Sequence, residues 1–233
     1  MKLKKLTLTN FRCYEKFEID FNEKLNVIVA ENGVGKTSVL DAVTVALGQF
    51  IGGFDTGRES GFTAKDARLN IVKSKTTQTV NMESRYPITL VAEGEVDRQN
   101  AKWSRELKGA KSKTTYGKAT VLKEYAKRLQ EQVREGIEVS LPILSYYGTG
   151  RLWHQKQTAK GNSSRLFGYD KALEPASTYK EFAKWFEDES KAEYNNLLKY
   201  IQKEKNMDFS LFDKSMALDK IREAVDTCLN ISE

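Results

Sequence analysis

The sequence predicts a mixed α/β fold followed by a helical region, and three observations support this prediction. An apolar run from Leu25 to Val29 leads into a glycine-containing loop, and a helical pattern of apolar residues begins directly after it, at Thr37. Residues 80–96 and 101–107 have the composition of two strands joined by a turn at residues 97–100. From Pro175 onward, apolar residues recur at the spacing typical of helices.

The first 47 residues predict three strands and a helix. Apolar and polar residues alternate around Leu6 and again from Phe17 to Phe21, which predicts two short strands joined by a turn at residues 10–16. Leu25–Val29 is almost entirely apolar and predicts a strand buried on both faces. Residues 37–47 predict a helix, and Glu138–Tyr147 predicts a second core strand.

The composition indicates a reduced, cytoplasmic protein. Its 233 residues suffice for one large domain or two small ones, and a formal net charge of +6 permits a polyanionic partner without requiring one. The two cysteines, Cys13 and Cys228, lie far apart and lack the spacing of metal ligands. No secretory signal core or apolar run of membrane-spanning length occurs.

The loop with sequence AENGVGKTS, residues 30–38, carries the strongest functional signal. Between a strand and a helix, glycines let successive backbone N–H groups turn toward one anion, and the helix N-terminus adds partial positive charge. The lysine of such a loop reaches β- and γ-phosphates, and the next hydroxyl binds Mg²⁺. Ala30 departs from the usual first glycine. The sequence therefore predicts a nucleotide site at Asn32, Gly33, Val34, Gly35, Lys36, Thr37 and Ser38, with Thr37 as the metal ligand; the alternative is an ordinary strand-to-helix turn.

Three segments together resemble a known family. Residues 9–12 (TNFR), the loop above and residues 40–42 (LDA) look like the N-terminal half of the SMC/RecF-type ABC ATPases. The likeness is closest to bacterial AAA-labelled ATP-binding proteins linked to virulence and phage defence, including the ATPase of the Septu system. It implies a P-loop NTPase core sheet with an antiparallel β subdomain and a C-terminal helical lobe, divided into residues 1–165 and 166–233.

The resemblance also implies ligands, partners and further site residues. ATP and Mg²⁺ are the expected ligands, the full-length protein is expected to be a homodimer, and a nuclease and DNA are candidate partners, with no membrane. Arg12 is expected near phosphate or base, the alternative being a surface arginine in a turn. Gln155 and Gln157 are candidates for the glutamine that senses Mg²⁺ and water, or are ordinary loop amides. Arg151 faces either nucleotide or a surface acid, and His154 is expected to have no catalytic role.

Two loops have open interpretations. Residues 48–70 contain repeated glycines, which predicts a mobile loop. Residues 108–118 contain four lysines among small residues, which fits a solvated loop better than a nucleic-acid contact.

Two parts that ATP hydrolysis requires in this family are missing from the sequence. An apolar strand ending in Asp-Glu should support Mg²⁺ and polarise water, but the nearest match, residues 88–93, has Ala92 in place of the aspartate. No segment resembles the serine-glycine signature. No catalytic residue is therefore assigned, and the chain is expected to be the N-terminal part of a longer ATPase that binds ATP but hydrolyses little alone. The alternatives are a non-hydrolysing, nucleotide-gated interaction module and a P-loop kinase or GTPase, whose acidic strand and lid motif the sequence lacks.

Overall fold

The computed structural model describes residues 1–73, 80–149, 164–175, 179–203 and 216–229. The chain forms two compact units, the first from residues 1–148 and 162–175 and the second from residues 149–161 and 176–233. The elements of the first unit are β1 (Lys2–Phe11), β2 (Tyr14–Asp20), α1 (Lys36–Ile51), β3 (Leu69–Lys73), β4 (Val80–Ser84), β5 (Ile88–Val96), β6 (Gln99–Leu107) and α2 (Thr120–Arg134), with short 3₁₀ helices at Ala64–Asp66 and Arg165–Tyr169. The second unit contains α3 (Tyr179–Lys203) and α4 (Met216–Leu229).

A four-stranded antiparallel sheet forms one layer of the first unit. Its strand order is β2-β1-β5-β6, and β3 pairs with β4 as a separate hairpin. Along β5, every second residue is buried, as expected for a sheet with one face on the core. The two predicted N-terminal strands and the antiparallel β subdomain are confirmed, although the β1–β2 turn is shorter than predicted and contains only Arg12 and Cys13.

The helices α1 and α2 cover the sheet and bury its apolar face. From Thr44 to Ile51 every residue of α1 is buried, and Trp103 on β6 donates its indole N–H to the carbonyl oxygen of Ala46 at 2.9 Å. The indole of Trp103, which is 1% exposed, therefore packs against α1 in the core. Leu40, which the helical pattern places on the packed face, is 46% exposed, whereas its neighbours Val39 and Ala42 in the same turns of α1 are buried.

The segment after α1 is packed rather than loose, so the prediction of a mobile glycine loop is wrong. Phe54 and Phe62 are buried, and the Phe54 ring stacks on Tyr169 with centroids 4.2 Å apart. Arg105, with no exposed side-chain surface, donates to the carbonyl oxygens of Val45 and Ser60 at 3.1 and 2.5 Å. These contacts fix the segment against β6 and α1.

The two predicted core strands are not strands in this structure. Leu25, Val27 and Val29 are 74–86% exposed, and Ile143 is 94% exposed. A strand buried on both faces requires neighbours on both edges and layers above and below it. In the described part of the chain, neither segment pairs with another strand, so neither has the neighbours that a core strand requires.

The described residues of the second unit form the helices α3 and α4, and the sequence predicts helices in this region. Arg222 on α4 pairs with Glu193 on α3 at 2.8 Å and with Asp219 one turn earlier at 2.9 Å. Phe182 and Trp185 on α3 remain 45% and 38% exposed.

Candidate nucleotide site

The loop before α1 is closed around its own lysine. The Lys36 ammonium donates to the carbonyl oxygens of Ala30 and Glu31 at 2.6 and 2.7 Å. Gly33 and Gly35 have φ values of 87° and 112°, in the left-handed region that residues with a side chain rarely adopt. The two glycines therefore allow the chain to curl back so that its carbonyl groups reach Lys36.

The N-terminus of α1 is not capped by a side chain. Gly35 occupies the capping position, and the first turn contains no acidic residue. The first N–H groups of a helix have no partner within the helix, and they favour an anion. Thr37, in this turn, is exposed, whereas Ser38 is 9% exposed and packs inward. The described loop thus presents N–H groups, an ammonium and a hydroxyl within one short segment.

The turn of the β1–β2 hairpin rests on the same loop. The Cys13 thiol lies 3.6 Å from the carbonyl oxygen of Val34. A Cβ atom added to Gly35 would lie 2.6 Å from both the Cys13 sulfur and the Tyr14 hydroxyl oxygen. A side chain at residue 35 would therefore displace the ends of the Cys13 and Tyr14 side chains, and the φ of 112° would strain any residue other than glycine.

Arg12, in the same hairpin turn, is held by two carboxylates. Its guanidinium bonds to Asp41 through Nη1 and to Asp66 through Nε, the latter at 2.9 Å. Burial alone would lower the pKa of Arg12, but the hydrogen bonds and charges of the two aspartates outweigh it and raise the pKa. Arg12 therefore lies in a turn, as the alternative interpretation expects, but its side chain is only 34% exposed and forms two ion pairs. Its contact with phosphate or base stays a prediction.

Tyr146 completes this group of side chains. Its phenol donates to the second carboxylate oxygen of Asp41. Burial, followed by the hydrogen bond and charge of Asp41, raises the pKa of Tyr146, so the phenol stays neutral and remains a donor. Asp41 thereby joins α1, the β1–β2 turn and the segment before residue 149.

The other predicted site residues divide into three groups. Asn32 and Val34 are exposed on the loop. Glu93, at the end of the segment that most nearly matches an Asp-Glu strand, lies on β5 and pairs across the sheet with Lys102 at 2.6 Å. Arg151, Gln155 and Gln157, together with His154, lie outside the described residues.

Sequence reasoning missed the roles of Asp41 and Tyr146. In the sequence, Asp41 was noted only as part of the motif at residues 40–42. Its position four residues after Thr37 places the two residues on the same helix face, with their Cβ atoms about 6 Å apart. Tyr146 lies 105 residues from Asp41 in the sequence. No local pattern could have connected them.

Comparisons with known proteins give the family of the chain. The profile of a family described as an AAA domain matches residues 5–226. The chain belongs to this family. Within the described ranges of this AAA domain, no helix has both the length and the apolar character needed to cross a membrane, and no group of three metal-ligating side chains occurs.

Three curated relatives of this AAA domain are proteins of chromosome maintenance or DNA repair. The structural maintenance of chromosomes protein 6 of Saccharomyces cerevisiae is 48% identical over 46 residues, covering 20% of this chain and 4% of that protein. The DNA replication and repair protein RecF of Clostridioides difficile is 49% identical over 43 residues, covering 18% and 12%. The DNA double-strand break repair Rad50 ATPase of Saccharolobus solfataricus is 47% identical over 47 residues, covering 20% and 5%. The matches therefore span only a small part of each relative.

Proposed function

We propose that the first unit is the ATP-binding half of an SMC/RecF-like ABC ATPase. The proposal rests on one observation: the Lys36 ammonium donates hydrogen bonds to the carbonyl oxygens of Ala30 and Glu31 in the loop. Charge-assisted hydrogen bonds to phosphate are stronger than bonds to neutral carbonyl groups. A triphosphate entering the loop therefore competes successfully for the ammonium, and the uncapped N–H groups of α1 bind the same anion.

The remaining residues of the loop have separate roles in this proposal. Asn32, Gly33, Val34, Gly35 and Ser38 supply backbone N–H groups or shape the loop. The exposed Thr37 hydroxyl is a hard oxygen donor that suits Mg²⁺, whose other ligands come chiefly from phosphate and water. The metal would neutralise phosphate charge. Arg12 contacts the phosphates from the hairpin turn, and Arg151, Gln155 and Gln157 remain predicted contacts.

Hydrolysis requires a further half of the ATPase that completes the sheet. None of the described strands ends in an Asp-Glu pair. The exposed apolar side chains of Leu25, Val27, Val29 and Ile143 support this proposal, because covering each would stabilise the fold by about 1.5–3 kcal/mol. In this proposal the P-loop lobe predicted at residues 1–165 extends to Pro175, because Leu166 and Tyr169 pack in the core of the first unit, and the helical lobe predicted at residues 166–233 begins with α3.

The biological role proposed here follows the names of the relatives. Two of the three are named for DNA repair, so we assign the complete ATPase to DNA repair or to the related virulence and phage-defence proteins, including the Septu type. ATP-driven dimerisation would then act on DNA or on a nuclease partner.

The test is the affinity of the purified chain for Mg-ATP, measured by isothermal titration calorimetry. Lys36→Ala should weaken binding at least tenfold, since it removes the charged donor from the loop. Lys24→Ala is the matched control, because Lys24 is an exposed lysine of the preceding turn whose side chain does not reach the loop carbonyls. Equal binding by the wild type and Lys36→Ala would overturn the proposal.

The two cysteines provide an independent readout. Both cysteines are exposed, but Cys13 lies against Val34 of the loop, whereas Cys228 lies on α4 in the second unit. Mg-ATP should slow alkylation of Cys13 by iodoacetamide and leave Cys228 unchanged, as measured by peptide mass spectrometry. Equal effects of ATP on both cysteines would contradict a site at this loop.

The second candidate is a nucleotide-gated interaction module that never hydrolyses ATP. The exposed apolar segments favour this module as much as they favour the ATPase, because a partner protein of either kind could cover them. ATP turnover by the complete natural reading frame separates the two candidates. Turnover that Lys36→Ala abolishes supports the ATPase, and its absence supports the interaction module. Such turnover by the 233-residue chain alone would instead refute the need for a further half.

A further inference from the structure

Four side chains next to the candidate nucleotide loop form a group that we call the Arg12 cluster: Arg12, Asp41, Asp66 and Tyr146. Each carboxylate oxygen of Asp41 has its own partner, Arg12 for one and Tyr146 for the other. Asp66 accepts from Arg12 at 2.9 Å and is fixed by the N–H and hydroxyl of Thr63, at 2.8 and 2.9 Å. Arg12 is therefore bound on two sides by acids from two different parts of the chain.

The backbone at Arg12 adopts a conformation that favours glycine. Its φ is 50°, in a two-residue hairpin turn whose first position usually contains glycine, asparagine or aspartate. The Arg12 N–H donates to the carbonyl oxygen of Asp66 at 2.8 Å, which holds this conformation. A long cationic side chain at such a position opposes the local preference, and conflicts of this kind concentrate at functional sites. The turn thus aims Arg12 toward α1 at a cost in backbone energy.

The Arg12 cluster has excess negative charge and borders the loop. Two carboxylates and one guanidinium leave one net negative charge, because the Tyr146 phenol is neutral. Cys13, the next residue, touches Val34 of the loop. A triphosphate bound there carries several negative charges, so it and the aspartates attract the same guanidinium.

We infer that Asp41 is a positioning residue that restrains Arg12 and thereby sets the affinity of the loop for a triphosphate. This inference rests on the proposed function. Tyr146 acts in the opposite sense, because its hydrogen bond stabilises the Asp41 carboxylate and weakens the attraction of that carboxylate for Arg12. The same bond keeps Asp41 partnered when Arg12 turns to phosphate, which avoids an unpaired half-buried carboxylate.

The two substitutions therefore have opposite effects on ATP affinity. Asp41→Asn removes the charge of one of the two carboxylates that hold Arg12 and should tighten Mg-ATP binding about tenfold, at the lower end of the range for coupled sites. Tyr146→Phe leaves Asp41 with Arg12 as its main partner and should weaken binding about threefold. Both variants remove a hydrogen bond, so general damage to the fold would shift both affinities in the same direction. Weaker or unchanged binding by Asp41→Asn would overturn the inference.

A double-mutant cycle shows whether the effect passes through Arg12. In an Arg12→Gln background, Asp41→Asn should no longer change the affinity, because no restrained cation remains. An undiminished effect of Asp41→Asn in that background would refute the role assigned to Arg12.

Modification of Arg12 by phenylglyoxal, measured by peptide mass spectrometry without nucleotide, separates this inference from the proposed function. Asp41→Asn should speed the modification about tenfold and Tyr146→Phe should slow it, while the fully buried Arg105 stays unreactive as an internal control. Unchanged Arg12 reactivity overturns the restraint even if ATP binds. Changed reactivity with no Lys36-dependent ATP binding refutes the proposed function and leaves the restraint established.

Discussion

Replacing Arg105 by methionine should destabilise the first unit by about 3 kcal/mol. The Arg105 side chain has no exposed surface and donates to the carbonyl oxygens of Val45, Ser60 and Thr115. Methionine fills similar volume but cannot donate, and each buried acceptor that loses its donor costs about 1 kcal/mol. Glu59, the acidic partner, has a side chain 36% exposed, so it turns to water and adds little.

The assay is urea denaturation followed by the fluorescence of Trp103, which is 1% exposed and lies two residues before Arg105. Trp153→Phe and Trp185→Phe are introduced into every variant so that the signal reports the first unit alone. The difference in the free energy of unfolding between variant and parent then gives the cost of the substitution, when both show the same dependence of that free energy on urea concentration.

Arg128→Met is the matched control for this measurement. Arg128 pairs with Asp97, but both side chains are more than half exposed, so the substitution should cost less than about 1 kcal/mol. Equal losses for the two arginine variants would refute the reasoning, because they would show that the buried hydrogen bonds of Arg105 contribute no more than a surface pair.

Three further predictions follow from other features. Gly35→Ala should abolish Mg-ATP binding in calorimetry, because the backbone is strained and the added Cβ meets Cys13 and Tyr14; binding within twofold of wild type would contradict the geometry. Burial raises the pKa of Tyr169 to about 12, above the unfolded value near 10. The unfolded state therefore loses its proton first, and wild-type stability in urea should fall between pH 10 and 12 by about 2 kcal/mol more than that of Tyr169→Phe; parallel curves would show that the ring is not buried. Val27→Ser with Ile143→Ser should change the free energy of unfolding by under about 0.5 kcal/mol while lowering the fluorescence of bound anilinonaphthalene sulfonate; a large destabilisation would show these side chains to be packed.

The parts of the fold that the sequence predicted correctly depend on local periodicity. The alternation of residues 17–21 determines which face of β2 meets the core. The helix at the loop was predicted for the same reason. The helix was predicted to end at Leu47, before Gly48, but it extends to Ile51. Tertiary packing around Phe50 outweighs the low helix propensity of glycine.

The parts that failed depend on partners distant in sequence. Leu25–Val29 has the composition of a core strand, but a strand forms only where another strand pairs with it. Arg12 meets Asp41 and Asp66, which lie 29 and 54 residues away, so its ion pairs follow from the fold and not from any motif. The loop residues, in contrast, are close in sequence, and glycine, lysine and threonine at that spacing predict a phosphate-binding loop without any distant partner.

The burial of α1 from Thr44 onward restricts how the protein can respond to a ligand. The indole of Trp103 holds the helix at Ala46, so moving the helix as a rigid rod would disrupt the centre of the core. Adjustment is instead confined to the loop and the hairpin turn beside its first residues. Amide hydrogen exchange should therefore slow within residues 22–37 on ATP addition and remain unchanged along the second half of the helix.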